Sequence, residues 1–339
     1  MAAGRNSQRI VIAGASSLLG GELKALLEES LFAGWDLRLV DEENAAGTLT
    51  EAGGEAAVIQ RVDEDTFKDA KYVFLTGSTP FGRLCVRPAR DAGATVIDFT
   101  RATISDPDAT PWFPKIQALT GKTIAKHAKT FYVFSAGGAA AASLALVLQP
   151  FALQRMVAVM FRPVSESGRE GIEELETQTS QLLSFQGVGS VVFGTQAAFN
   201  LLPRFTSGSK VDLQREGLQI RAEVSAAIAD ANEDAKISLN LVHAPVFYGM
   251  TFSACADLGE GADAKKLSHA LQEAGWSVTA GGEAGAGPSN VSAAGESQLL
   301  LGEPRADLSR TGAWWFWAAA DNLRMPAASG VKLAEWLEG

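Results

Sequence analysis

With 339 residues, the chain is long enough for two domains, each with its own core. Hydrophobic residues make up 47% and charged residues 20%, as in ordinary water-soluble globular proteins, and a net charge of −10 without a basic, aromatic-interleaved stripe argues against a nucleic-acid partner. The longest apolar run, Ala139 to Leu148, falls far short of the ~20 residues that span a bilayer.

Arg5 and Arg9 precede VIAGASSLLGG in the outline of a secretory signal, but Gly14 and two serines break the apolar stretch, which runs on into an amphipathic helix. A cytoplasmic protein is expected. Arg9 to Ala13 reads as a strand and Glu22 to Phe32 as a helix. Between them Gly14-x-x-Ser17-x-x-Gly20 makes the strand, glycine loop and helix that open a dinucleotide fold. Gly14 would make the tight turn, and Gly20 would let helix and strand pack closely. Ser17 stands where backbone must approach a pyrophosphate, and its side chain could crowd that approach or donate a hydrogen bond. Asp36 to Val40 is the second strand, followed by Asp41, Glu42 and Glu43. An acid there can bond a ribose 2′-hydroxyl and repels a 2′-phosphate, which favours NAD over NADP; a solvated acidic turn explains the same residues.

Further strands are expected at Ala57–Gln60, Lys71–Leu75 and Thr95–Asp98, with helical stretches such as Gly82 to Ala92 between them. Alternating elements imply a parallel, helix-covered sheet, and the loop Thr76-Gly77-Ser78-Thr79-Pro80 stands at a strand's carboxyl end, where such sheets bind ligands. A proline-rich loop, Asp106 to Pro114, leads to Phe131–Phe134, read as a strand, and to a buried helix from about Ala139 to Gln149, closed by Pro150. The Gly137–Gly138 corner between them is where a nucleophile is often placed, since free N–H groups and the helix dipole stabilise an anion. Here it reads GGAAAA, with Ser135 and Ser143 flanking, and nothing in it can attack.

Beyond Pro150 the pattern becomes α+β. Strands are expected at Met156–Val164, Lys236–Val246, Phe247–Asp257 and Trp314–Ala320, and helices at Glu170–Leu183, Leu218–Ala229 and Asp321–Glu338, the last with Asp321 as N-cap. Gly281 to Gly295 reads as a mobile Gly/Ser/Ala loop. Cys85 and Cys255 lack CxxC spacing, and His127, His243 and His269 lack metal-ligand spacing, so neither a disulfide framework nor a metal site is expected.

Several blocks, in this order, resemble one family: GASSLLGGEL at 14–23, VIDFTRA at 96–102, GIEELETQT at 171–179, AFNLLP at 198–203, APVFYG at 244–249 and ADNLRMPAA at 320–328. Together they resemble the aspartate-semialdehyde dehydrogenase family, in particular its Usg-type paralogues, nearly end to end. The resemblance implies an α/β protein in two parts. One is an N-terminal Rossmann-like parallel sheet that binds NAD(P), residues 1–135 plus 320–339. The other, residues 136–319, is a central α+β domain that carries the active site and forms a homodimer. It places cofactor positions at Gly14, Ser16, Ser17, Leu18, Leu19, Gly20, Asp41, Gly77 and Asn322. The site would hold NAD, NADP or neither, with NAD favoured.

Family enzymes reductively dephosphorylate aspartyl phosphate through a cysteine thiolate, with a histidine moving protons. Matching the family's Lys-Pro to Gln149-Pro150 puts the cysteine position at Ala139, and a slip of one residue reaches Gly138 or Ala140. The histidine position falls at Met250, the substrate-binding arginine at His243, the glutamine at Arg162 and the phosphate-binding arginine at Ile104. Phe99 replaces an asparagine, although Arg101 nearby could attract an anion. Glu216 persists from a Glu-x-x-Lys pair whose lysine is Gln219. His243 is expected to be a satisfied structural histidine. Three readings follow: an inactive paralogue with a binding or regulatory role, an oxidoreductase acting on another small aldehyde or hydroxy acid, or residual semialdehyde dehydrogenase activity.

Overall fold

The computed structural model describes residues 8–229, 236–279 and 287–339. Arg5 and residues 281–286 of the expected Gly/Ser/Ala loop lie outside the described residues. The chain divides into two compact units: residues 1–113, 123–134 and 326–339 form the first, and residues 114–122 and 135–325 the second. The dividing line runs through the last helix, between Met325 and Pro326, rather than ahead of it.

The elements run β1 (Arg9–Ala13), α1 (Leu18–Glu28), β2 (Asp36–Asp41), β3 (Leu49–Ala52), β4 (Glu55–Val58), β5 (Gln60–Arg61), β6 (Ala70–Leu75), α2 (Thr79–Asp91), β7 (Thr95–Asp98), β8 (Thr110–Trp112), α3 (Ile116–Thr120), β9 (Thr130–Val133) and α4 (Ala136–Leu148). They continue with β10 (Arg155–Arg162), α5 (Gly168–Leu183), α6 (Leu213–Ile228), β11 (Lys236–His243), β12 (Met250–Asp257), α7 (Ala264–Glu273), β13 (Ser277–Thr279), β14 (Leu300–Gly302), β15 (Arg305–Ala306), β16 (Ala313–Ala320) and α8 (Arg324–Glu338).

In the first unit seven strands form a sheet in the order β5-β2-β1-β6-β7-β9-β8, every pair parallel, as the alternating pattern implied. Central strands such as TVID and TFYV are buried at all four residues, which is why they read as continuous apolar runs. The chain leaves β1 first toward β2 and then returns to β6 on its other side, so the topological switch lies between β1 and β6. The later part of α8 packs here: Trp112 Nε1 donates to Ser329 O at 2.9 Å, and Tyr72 donates its hydroxyl to Glu338 Oε1 at 2.7 Å.

Three elements of this unit differ from the sequence expectation, the first being α1, which runs Leu18–Glu28 rather than Glu22–Phe32 because Ser17 caps it. The strand expected at Ala57–Gln60 is split between β5 and β4, the latter pairing with β3 in a hairpin turned by Gly53 and Gly54, both at positive φ. Asp106 to Pro114 contains β8, whose Pro111 is tolerated because β8 lies at the sheet edge and no ladder needs the missing N–H.

The second unit holds a mixed sheet ordered β11-β10-β12-β16-β14-β13, with β15 against β16. Strict alternation of buried and half-buried residues in β12, starting from buried Met250, puts Met250, Phe252, Ala254 and Ala256 on the inner face with Met156, Ala158, Met160 and Arg162 of β10. The opposite face presents Val157, Val159, Phe161, Cys255, Trp315 and Trp317, the two indoles about 40% and 39% exposed. All thirteen residues of α4 are buried, so it is apolar all round, with no polar stripe to mark its start. It begins at Ala136, three residues earlier than expected, because Ser135 caps it. Similarly α6 starts at Leu213, five residues early, because the Asp212 side chain accepts from the Gln214 and Arg215 N–H groups. The strand expected from Phe247 starts at Met250, after a turn in which Gly249 takes φ +81.

Candidate functional site

The glycine loop of the first unit is built as the Gly14-x-x-Ser17-x-x-Gly20 spacing requires. Gly14 sits at φ +100, and a methyl there would lie 2.0 Å from the Gly77 nitrogen; on Gly20 it would lie 2.6 Å from the Gly14 carbonyl. The first approach sets the β1–α1 loop against the β6–α2 loop at the switch point, and the second packs the start of α1 on its own loop. Ser17 does not project into the approach. Its hydroxyl is the N-cap of α1, accepting from Gly20 N–H at 2.9 Å. The first-turn N–H groups of Leu18 and Leu19 are those an α-helix leaves without an intrahelical acceptor, and they suit a phosphate. Ser16 donates its N–H to Asp41 Oδ2 at 2.7 Å, so the acid at the end of β2 ties down the loop.

Beside this loop opens a cavity of about 430 Å³, lined by Asp41 to Glu43, Arg61, Val62, Ser78, Pro80, Phe81 and Leu84. It has an apolar base and an acidic rim, and a volume within the range of small-molecule sites. Gly77 belongs to the same corner. Cys85, nearby on α2, is 1% exposed, and burial foremost, with Asp41 and Glu42 adding, pushes its thiol up to about 12. A thiol so placed is inert.

The Gly137–Gly138 corner, expected to lack a nucleophile, lies in the second unit. Ser135 caps α4 by accepting from Gly138 N–H at 3.1 Å, and it donates its hydroxyl to Glu223 Oε2 at 2.6 Å. Glu223, 1% exposed, fills the place of a side chain at 138: a methyl on Gly138 would lie 1.8 Å from Oε2. A methyl on Gly137 would meet the sulfurs of Met250 and Met160 at 3.0 and 3.3 Å and Ile220 at 3.3 Å. Ala139 is 1% exposed. The turn is therefore walled by thioethers, a methyl group and a carboxylate already hydrogen-bonded.

At the ends of β10 and β11, Arg162 and His243 are register partners. The Arg162 guanidinium, 1% exposed, is held by Glu216 through Nε–Oε2 at 2.5 Å and Nη2–Oε1 at 3.0 Å, and it also donates to Ser167 Oγ at 3.0 Å. His243 is fully buried against Phe193 and Phe205. Its Nε2 lies 3.1 Å from Ala197 O, and because a carbonyl only accepts, Nε2 carries the proton. Nδ1 has no hydrogen-bond partner among the described residues, so the ring is half-satisfied rather than fully satisfied. The loop that supplies Ala197 is itself pinned by Gln178, whose Oε1 accepts from the Ala197 and Ala198 N–H groups. Asn322 is buried, its Oδ1 accepting from Gly249 N–H at 3.0 Å and its Nδ2 donating to Ser165 Oγ at 3.0 Å. Cys255 is on the face of β12 opposite Met250, and burial foremost raises its thiol. Among the described residues no group of three or more His, Cys, Asp or Glu could hold a metal, and no helix is long and apolar enough to cross a membrane.

Burial foremost, with the Arg162 charge adding, holds the His243 imidazole below its ordinary 6.5, although the Ala197 carbonyl works the other way. The unfolded chain takes up this proton at a higher pH than the folded one does. Its contribution to stability is therefore complete above about pH 6.5 and declines below it, by at most about 1.4 kcal/mol per pH unit. His243→Gln keeps a donor for Ala197 and should flatten urea-unfolding stability measured from pH 7 down to 5. An unchanged slope would assign the acid sensitivity to other groups.

Glu223 and Arg61 were not singled out from sequence. Glu216, Ile220 and Glu223 follow i, i+4, i+7 spacing along one face of α6, which was the available signal for Glu223. Arg61, in a two-residue strand, carried none.

A parallel sheet with a glycine loop at its switch point defines a dinucleotide-type α/β unit, followed in the chain by a mixed-sheet unit whose buried helix opens on a glycine corner. The profile described as the NAD binding domain of semialdehyde dehydrogenase matches residues 9–126, and that of the semialdehyde dehydrogenase dimerisation domain matches residues 144–325. The chain belongs to the semialdehyde dehydrogenase family. The aspartate-semialdehyde dehydrogenase of Rickettsia bellii is 27% identical over 336 residues, covering 97% of each chain. A USG-1 protein homolog from Pseudomonas aeruginosa is 28% identical over 334 residues, also covering 97% of each. The structure of a probable aspartate-semialdehyde dehydrogenase from Pseudomonas aeruginosa has a TM-score of 0.85 at 25% identity, over 98% of this chain and 99% of that one.

Proposed function

We propose that this chain is a catalytically inactive member of its family that keeps an NAD-preferring site and pairs with a second copy through the open face of its mixed sheet. Similarity alone does not choose, since relatives named for the enzyme and relatives named USG-1 are equally close. The carrying observation is the α4 corner. Where the resemblance places a thiolate and an imidazole, this chain has the buried methyl of Ala139 and the Met250 sulfur, with Met160 and Ile220 packed at the same glycine. Losing a covalent nucleophile costs orders of magnitude in rate. Bound NAD would supply a hydride acceptor, held by the Leu18 and Leu19 N–H groups and the cavity beside them.

Dimerisation through Phe161, Trp315, Trp317 and their neighbours would cover an aromatic sheet face that the monomer leaves open. The second reading, hydride transfer to another small carbonyl, asks Arg162 and His243 of the second unit to orient a carboxylate. Glu216 already engages Arg162, and Ala197 already engages His243, which counts against it.

The test is turnover of aspartate semialdehyde with phosphate or arsenate and either NAD or NADP, on protein shown by sedimentation to have twice the 35.6 kDa chain mass. No rate above a vector-only preparation is expected. Turnover above that control would overturn the reading. Reduction of other small aldehydes, or oxidation of hydroxy acids, would replace it with the second.

A further inference from the structure

We infer that coenzyme choice in the first unit is made by Glu42 and by the Glu43–Arg61 ion pair, while Asp41 serves as an anchor for the glycine loop. The inference rests on the reading of this unit as a dinucleotide site.

The acid at the end of the second strand is the ordinary reader of the ribose in such folds. Here that residue is spent. Asp41 is 6% exposed, its Oδ2 accepts from Ser16 N–H at 2.7 Å, and its Oδ1 accepts from Glu42 N–H at 2.8 Å. A carboxylate bonded at both oxygens to backbone holds β2 and the β1–α1 loop together, with two of its about four lone-pair sites taken and only 6% of the residue exposed to a ligand.

The next residue lines the same cavity as Asp41 and keeps more of its carboxylate free. Glu42 is half-buried, lines the cavity, and accepts the Ser78 hydroxyl at Oε1, 2.6 Å away. Ser78 in turn caps α2, accepting from Phe81 N–H at 3.2 Å, so the carboxylate is steadied by a helix end. This bond links the loops on either side of β1, above the switch point. An ionised carboxylate offers about four lone-pair sites, and the Ser78 bond takes one of them. A ribose 2′,3′-diol brings two O–H donors to such a group. A 2′-phosphate brings no donor there and about two negative charges.

Arg61, from β5, lines the same cavity and would be the natural partner of a 2′-phosphate. It is held instead by Glu43, Nη1 to Oε1 at 2.9 Å, with both side chains well exposed. A pair so exposed is weak, so removing the Glu43 charge should release the guanidinium at small cost to the fold.

The experiment is calorimetric titration of the full chain and of Glu42→Gln, Glu43→Gln and Glu43→Gln/Arg61→Ala with NAD and NADP, each variant's melting point recorded alongside. The wild-type chain should prefer NAD. Glu42→Gln should weaken NAD about tenfold, the worth of a charge-assisted hydrogen bond. Glu43→Gln should strengthen NADP about fivefold while leaving NAD unchanged, and Arg61→Ala in that background should cancel the gain. Glu43 and Arg61 lie at the surface, so those two arms stand even if Glu42→Gln unfolds. An NAD-to-NADP ratio that is the same in the wild-type chain and all folded variants overturns the inference and leaves the dinucleotide reading intact. A wild-type chain that binds neither coenzyme overturns that reading, and the inference with it.

Discussion

Replacing Glu216 by glutamine is expected to destabilise the folded protein by about 3 kcal/mol, measured as the shift of the urea-unfolding midpoint. The pair it breaks is asymmetric. Arg162 is 1% exposed and Glu216 28%, so the variant strands a guanidinium that cannot reach water. Breaking a buried pair from one side typically costs about 3–5 kcal/mol, and the partial exposure of Glu216 places this case at the low end. Ser167 Oγ and the Pro163 carbonyl would still contact the guanidinium, but neither carries a balancing charge. The same argument expects Arg162→Met combined with Glu216→Leu to recover most of the loss, because an apolar pair of similar volume avoids both desolvation penalties. A single variant within about 0.5 kcal/mol of the parent, the range of ordinary surface substitutions, would show that the pair is not buried in solution. The result also bears on function. A pair that contributes this much to the fold is an internal strut, and its charges are not waiting for a substrate.

Gly138→Ala should also destabilise by at least about 2 kcal/mol, although glycine to alanine inside a helix normally gains about 1 kcal/mol. The added methyl would stand 1.8 Å from Glu223 Oε2 and 2.8 Å from its carboxyl carbon. Either the carboxylate leaves Ser135, abandoning the bonds from its O–H and N–H, or α4 shifts within a fully buried environment. Overpacking and a displaced buried carboxylate each cost roughly 1–3 kcal/mol. The decisive measurement is a double-mutant cycle with Glu223→Ala. The double variant should be more stable than the sum of the single effects by more than about 1 kcal/mol, since removing the carboxylate makes room for the methyl. Simple additivity would mean that the two groups do not meet. The coupling explains why Gly138, beside the position where relatives are expected to carry a thiol, has no room here for any side chain.

Much of the architecture was legible because it is written in local patterns. Buried parallel strands read as short β-branched and aromatic runs, as TVID and TFYV do, and the Gly14-x-x-Ser17-x-x-Gly20 spacing marks a strand, loop and helix from neighbouring residues alone. Glycine positions were readable for the same reason: a positive φ at Gly14 permits little else. The lack of a nucleophile in GGAAAA needed no structure at all, since no arrangement of methyl groups makes a thiolate. Helix starts were harder. A buried helix such as α4 has no polar face to phase it, and the caps Ser135 and Asp212 declare themselves only through hydrogen bonds to the following turn.

What residues do to one another across long stretches of chain was decided by the tertiary structure. That Asp41, read as a ribose partner or a solvated turn, also accepts from Ser16 N–H, 25 residues earlier, was settled by the fold. Arg162, placed by the resemblance at a glutamine position, is engaged by Glu216, 54 residues later. Glu223 closed the α4 corner from 88 residues away, and His243 found its acceptor at Ala197, 46 residues before it. Sequence by itself determined the class of sheet, the glycine loop and the absence of a thiol at the corner, because each depends on neighbours within a few residues. Which charges are spent and which remain for a ligand depends on pairs joined by chain folding, and a hydrogen bond between distant residues leaves no trace in local spacing.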